Sequence, residues 1–238
     1  MLTRLDMCGF KCFDDEELEL GAITLLSGLN SSGKSSFLQA IRLLKEGRAL
    51  PGHGSLDDLK SEAYEGFAVC LWKGEQFYGL EYTEKSQIEY YNGNEEIFPE
   101  LISFIGASRL GPQPALPTSP SVELLSVGEK GEYVIDFFLR NYERADIPEP
   151  LRKAGKITSS FRQNVSAWLN VISPGVTFDA KVDRMADMGR AEYNDFRASN
   201  VGFGLSYALP IIVNVLVYAS LIESSEYESA LVLVENPE

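Results

Sequence analysis

Residues 28–35 read Gly-Leu-Asn-Ser-Ser-Gly-Lys-Ser and fit the pattern G-x-x-x-x-G-K-[ST]. A glycine loop of this kind turns backbone N–H groups toward phosphate oxygens, and the N-terminus of a following helix adds to the same field. In that chemistry Lys34 reaches the β- and γ-phosphates of a nucleotide and the Ser35 hydroxyl sits on Mg²⁺. Gly28, Asn30, Ser31, Ser32, Gly33, Lys34, Ser35 and Ser36 form the candidate nucleotide-binding set. A plain glycine turn before a helix would use the same residue types. The second chemical candidate is the run Ala230-Leu231-Val232-Leu233-Val234-Glu235, apolar until its final acid. A buried strand that ends in a carboxylate can hold the water shell of Mg²⁺ beside a phosphate loop. The same run also reads as an ordinary core strand.

These residues need elements to position them. Ala22 to Leu26 reads as a buried strand, and Ser35 to Lys45 as a helix with Phe37, Leu38, Ile41 and Leu44 at core spacing and Gly47 as its stop. Leu2 to Asp6 and Glu17 to Leu20 read as short strands. From Gly66 onward three β-rich runs are separated or ended by Lys73-Gly74, Glu84-Lys85 and Asn92-Gly93, as in an antiparallel meander. Leu101 to Ala107 reads as a buried strand leading into a Ser108–Pro112 loop, and 112–120, with four prolines, as irregular chain. Tyr133 to Arg144 and Ser159 to Ile172 have helical patterning, with a linker between them. Val176 to Arg184 and Ala191 to Ala198 alternate like a hairpin around Gly189. Asn200 to Gly204 is expected to open a helix from about Ser206 to Glu223.

The 238 residues carry a net charge of −14, which argues against a broad nucleic-acid-binding surface and leaves nucleic-acid contact open. Cys8, Cys12 and Cys70 form no C-x-x-C pair, so a reduced, cytoplasmic compartment is expected. The single histidine, His53, makes a histidine-based metal site a poor expectation. The N-terminal apolar run is interrupted by Asp6 and Lys11, unlike a signal peptide. The apolar run Ala208 to Ile222 is shorter than an ordinary membrane span and contains Pro210 and Asn214, so a buried helix and no membrane are expected.

Three segments resemble ABC-type ATPase heads of the SMC/RecF/OLD group. Gly9-Phe10-Lys11-Cys12-Phe13, followed by the Ile23 run and the glycine loop, is similar to that group's N-terminal pattern. Val201-Gly202-Phe203-Gly204-Leu205-Ser206 resembles its signature loop. Val234-Glu235-Asn236-Pro237-Glu238 resembles its Walker B end, in the form typical of a bacterial branch of predicted ATPases, some linked to antiviral defence. The resemblance implies an α/β P-loop NTPase of the ABC-head type, with an antiparallel β meander and a short helical insert. It implies one ATPase head over 1–238. Within it, 1–60 would be the P-loop core, 61–98 the antiparallel β subdomain and 99–114 a Q-loop-like strand and loop. Residues 115–199 would be the helical and hairpin insert, and 200–238 the signature helix and Walker B strand.

The same resemblance implies ATP and Mg²⁺ as ligands, with Ser35 and Glu235 toward the metal and Lys34 and Glu235 as catalytic residues. It implies an ATP-dependent homodimer in which Gly204 and Ser206 act across the interface, controlling an effector such as a nuclease. Gln113 or Arg109 would occupy the Q-loop position. Two departures bear on activity. Asn236 stands where many heads carry a glutamate base, leaving Glu238 as a substitute. A complete head would also continue past Glu238, so the chain is expected to be a C-terminally incomplete head with slow hydrolysis. A nucleotide-binding scaffold that hardly hydrolyses and serves as a partner platform is the alternative. A GTPase or small-molecule kinase is disfavoured, since no N-K-x-D-like guanine-reading element is present.

Overall fold

The structure is a computed structural model that describes residues 1–85, 87–91, 95–153, 158–194 and 196–237. Glu238, the turn expected at 92–93 and residues 154–157 of the expected interhelical linker lie outside the described residues. The chain forms two compact units, Met1–Phe98 and Pro99–Glu238.

The first unit contains β1 (Arg4–Phe10), β2 (Phe13–Glu19), α1 (Lys34–Glu46), β3 (Gly66–Lys73), β4 (Gln76–Thr83) and β5 (Gln87–Tyr91). The five strands form one antiparallel sheet in the order β2-β1-β3-β4-β5. Strand alternation puts Leu5, Met7, Val69, Leu71, Tyr78 and Leu80 in the core. The buried stripe Phe37, Ala40, Ile41 and Leu44 of α1 recurs at helical spacing. The helix stops at Gly47 in the left-handed conformation (φ 63°), whose N–H donates to Leu43 O. Lys73 pairs with Gln76 across the expected tight turn. The first two strands are longer than the sequence indicates, because Phe10 pairs with Phe13 and the chain reverses at Lys11 (φ 53°) and Cys12.

The strand expected at Ala22–Leu26 does not form. Ile23 and Leu25 are 92% and 78% exposed, and the segment has no ladder partner among the described residues. A strand is stable only when a neighbour takes its N–H and C=O groups. The nearest strand in sequence, β2, is a sheet edge carrying Asp14, Asp15, Glu16, Glu17 and Glu19, a charge density that blunts further pairing.

The second unit contains β6 (Leu101–Ile105), β7 (Leu116–Pro117), α2 (Val134–Asn141), α3 (Phe161–Ile172), β8 (Phe178–Asp183), β9 (Met188–Tyr193), β10 (Phe196–Arg197), α4 (Phe203–Glu223) and β11 (Ala230–Val234). β6 and β11 run parallel, with Val234 beside Ile105. β9 pairs with β7, β8 and β10 in a small antiparallel sheet. Phe138 anchors the core, with ring centroids 5.1 Å from Phe161 and 5.0 Å from Phe178.

α4 is long and apolar enough to cross a bilayer, with a mean hydropathy of 2.0. Leu205, Leu209, Val213, Leu216 and Val217 on this helix are buried in the core of the unit. The helix starts at Phe203, three residues before the expected Ser206, so Gly204 and Ser206 lie in its first turns. The hairpin turns at 184–187, and Gly189 lies inside β9. There a Cβ would meet Ile135 Cγ2 of α2 at 2.5 Å, so this glycine serves close packing. The three cysteines are free thiols.

Candidate nucleotide-binding site

The loop from Gly28 to Gly33 ends in a residue that only glycine fits. Gly33 has φ 93°, and a Cβ there would lie 2.8 Å from Cys12 Sγ and 2.7 Å from Phe13 Cζ. The tip of the β1–β2 hairpin therefore buttresses the loop from behind, and Lys11 Nζ donates to Gln39 Oε1 on α1. Burial lowers the Lys11 pKa. The sequence offered Gly33 as part of the phosphate loop, but nothing local identified Cys12 and Phe13 as the surfaces it packs against.

The other side of the loop is open. Gly28, Asn30, Ser31 and Ser32 are exposed, and Ser31 is left-handed at φ 64°. Ser32 N–H closes a turn on Leu29 O at 3.3 Å. Lys34 Nζ folds over the loop and donates to Gly28 O and Leu29 O, each at 2.7 Å. Lys34, Ser35 and Ser36 are half-buried in the first turn of α1. That turn has no side-chain N-cap bond and no acid. A helix start of this kind attracts an anion through its N–H groups and its dipole. Loop, lysine and helix start are together the candidate anion site, with a hydroxyl beside it.

In the second unit, the strand-end acid lies at the carboxyl ends of two parallel strands, where open α/β sheets bind ligands. Glu235 N–H continues the ladder to Ile105 O at 2.9 Å, and its Oε2 accepts from Ala107 N–H at 3.4 Å. Asn236 follows in the left-handed conformation at φ 49°, where asparagine is among the few tolerated residues.

Arg109, a Q-loop candidate by sequence, is 6% exposed and hydrogen-bonded to main-chain oxygens of Gly106, Glu235 and Asn236. Gln113, the other candidate, is exposed at the rim of a cavity of about 20 Å³. Ser206 lines the same cavity as the buried Tyr193. Burial pushes the Tyr193 pKa up, and the neighbouring Ser206 hydroxyl offsets part of that rise. Gly204 is exposed, and a Cβ on it would meet nothing within 4 Å. No group of three or more His, Cys, Asp or Glu side chains forms a metal cage among the described residues. Mg²⁺ bound through phosphates needs only one or two protein oxygens, and the Ser35 hydroxyl beside the loop is a hard donor of the kind it takes.

A family model described as an AAA ATPase domain matches residues 1–100. Among solved structures, the recombination mediator protein RecF with ATPrS, of the RecFOR pathway, is 14% identical. That match covers 99% of this chain and 85% of that one, at a TM-score of 0.51. RecF with ATP is 16% identical, over 99% of this chain and 84% of that chain, at a TM-score of 0.49. An SMC ATPase from work on ATP-driven dimerization and DNA-stimulated activation is 18% identical, over 38% of this chain and 68% of that chain, at 0.30. No curated protein matches. The likeness to RecF is one of fold, a mixed α/β architecture, and residues 1–100 match the AAA ATPase domain model.

Proposed function

We propose that this chain is an ATP-binding head whose nucleotide state drives association with a second copy and thereby controls an attached effector. The observation that carries the reading is the open loop at Gly28–Ser32, with Lys34 folded over it and an uncapped α1 behind it. In this reading the loop N–H groups and Lys34 hold the phosphates. Ser35 would hold the Mg²⁺, whose chemistry is to neutralise phosphate charge. Gly204 and Ser206 present a helix N-terminus to the nucleotide of the second copy. A DNA-maintenance setting is proposed on the fold shared with RecF, with antiviral defence the other setting.

The open space at Gly204 supplies a test in which stability and function move in opposite directions. A Cβ at Gly204 meets nothing within 4 Å among the described residues, and Gly204→Leu replaces a poor helix former. Stability is expected to rise by about 0.5–1 kcal/mol. The added side chain would nevertheless keep a second copy's phosphates from the helix start. ATP-driven association, followed by light scattering, should be lost while ATP affinity stays at the parent value. Association of the variant at parent strength would refute the role of Gly204 across an interface.

A second reading, a scaffold with little hydrolysis, is favoured by Asn236. A general base must take a proton from the attacking water, and an amide cannot. ATP binding with very slow phosphate release is the expected result. Asn236→Glu should raise the rate only modestly, because a glutamate at φ 49° carries backbone strain of about 1–2 kcal/mol. Rapid release by the parent chain would exclude the scaffold reading and transfer the base role to another residue, with Glu238 the first to test.

A further inference from the structure

The five-stranded sheet of the first unit has two unlike faces. Leu5, Met7, Val69, Leu71 and Leu80 point to the side that α1 covers and are at most 1% exposed. Residues paired across a ladder share a face, so the register maps the other side.

The middle of that side is a floor of small side chains. Cys8 of β1 lies beside Ala68 of β3, and Cys70, two residues on, lies on the same face. Gly79, the β4 neighbour of Cys70, brings no side chain. Cys8 is exposed, Ala68 and Cys70 are half-buried, and both thiols are free. A sheet face left to water ordinarily carries long polar side chains, and these residues are of another kind.

At one end of the floor stands an aromatic wall. The Trp72 and Phe77 rings pack with centroids 4.7 Å apart. Trp72 Nε1 donates to Asp6 Oδ2 at 2.6 Å, which fixes the indole. The Arg4 guanidinium lies 4.4 Å from the Trp72 centroid and pairs with Asp6 at 2.8 Å and Glu17 at 3.5 Å. The rim is acidic, with Asp15 of β2 beside Cys8 and Glu81 of β4 beside Ala68. Burial, then the charges of Asp15, Asp14 and Glu81, raises the Cys8 pKa. Burial, then Asp6, pushes the Cys70 thiol up to about 11. The field over the floor is therefore negative.

We propose that this sheet face is a docking surface for a basic segment of another protein. An apolar ridge of the partner fills the floor against the Trp72 wall, and its Lys and Arg side chains reach the rim carboxylates. Charge selects this occupant. A second copy carries the same net −14, and nucleic acids and anionic membranes are negative as well. Arg4 displays the chemistry that the face accepts, a guanidinium on an indole between carboxylates. The proposal stands apart from the nucleotide reading.

The probe is a fluorescently labelled synthetic helical peptide with leucines on one face flanked by arginines. Anisotropy reads its binding to the full chain. In a Trp168→Phe background Trp72 is the one remaining tryptophan, so quenching by neutral acrylamide reports on the wall. The peptide should bind, less tightly as salt rises, and should shield Trp72 from acrylamide. The same peptide with glutamate for arginine should not bind. Glu17→Gln with Glu81→Gln should weaken binding about fivefold, as two exposed ion pairs are lost. Neutralising the exposed Glu143 and Glu149 of the second unit in the same way should leave affinity at the parent value. If Trp168→Phe does not fold, anisotropy with the two double variants decides the proposal. Absence of binding, equal loss in both double variants, or an unshielded Trp72 would overturn it. Spermidine that binds as tightly as the peptide and displaces it would also overturn it, leaving a small-cation site only.

Discussion

Lys34→Ala should weaken ATP binding about a hundredfold or more and leave the fold intact. Each charge-assisted hydrogen bond from an ammonium to phosphate contributes about 1.5–3 kcal/mol. Loss of two such bonds, at about 1.4 kcal/mol per tenfold, gives that factor. The fold should survive because Lys34 Nζ bonds only to the main-chain oxygens of Gly28 and Leu29 in the described structure. Both residues are exposed, so water can replace the lysine. Calorimetry reads the affinity and thermal unfolding reads the fold. Equal ATP binding by variant and parent would remove the phosphate role from this loop.

Gly33→Ala should damage stability and binding together. The residue has φ 93°, and its new methyl would overlap Cys12 Sγ and the Phe13 ring. Left-handed backbone costs a non-glycine residue about 1–2 kcal/mol. Overpacking adds about 1–3 kcal/mol. The combined loss is a large share of the about 5–15 kcal/mol that holds a domain folded. A urea midpoint measured beside an ATP titration separates this variant from Lys34→Ala, which should move only the titration. Adding Cys12→Ala to Gly33→Ala removes one of the two clashes and should recover part of the stability. An unchanged midpoint in Gly33→Ala would show that the hairpin tip does not press on the loop.

These two expectations draw on different kinds of information. The lysine and the glycines around it were legible as a candidate phosphate loop from residue types alone, because such a loop is made by a few consecutive backbone groups. The same holds for α1 with its stop at Gly47, for the tight turn after Lys73, and for the acid that ends β11. In each case the determining contacts lie within a few residues along the chain, where periodicity and turn chemistry act.

Where the outcome depended on a distant neighbour, sequence patterns were insufficient. Ala22–Leu26 has the composition of a strand, but strand formation needs a ladder partner that local pattern cannot supply. Ser206 has the residue type of a helix cap, yet Gly202 takes that place and Ser206 meets Tyr193 instead. Gly189 has the residue type of a turn, but Ile135 of α2 explains it. Arg109 is one of two Q-loop candidates by sequence, and its observed partners include the carbonyl of Glu235, 126 residues away. The sequence by itself determined which residues are candidates for a phosphate loop and for a strand-end acid. Only the tertiary structure decided what buttresses the loop, where α4 begins and what Arg109 holds, because each depends on close packing between segments far apart in the chain.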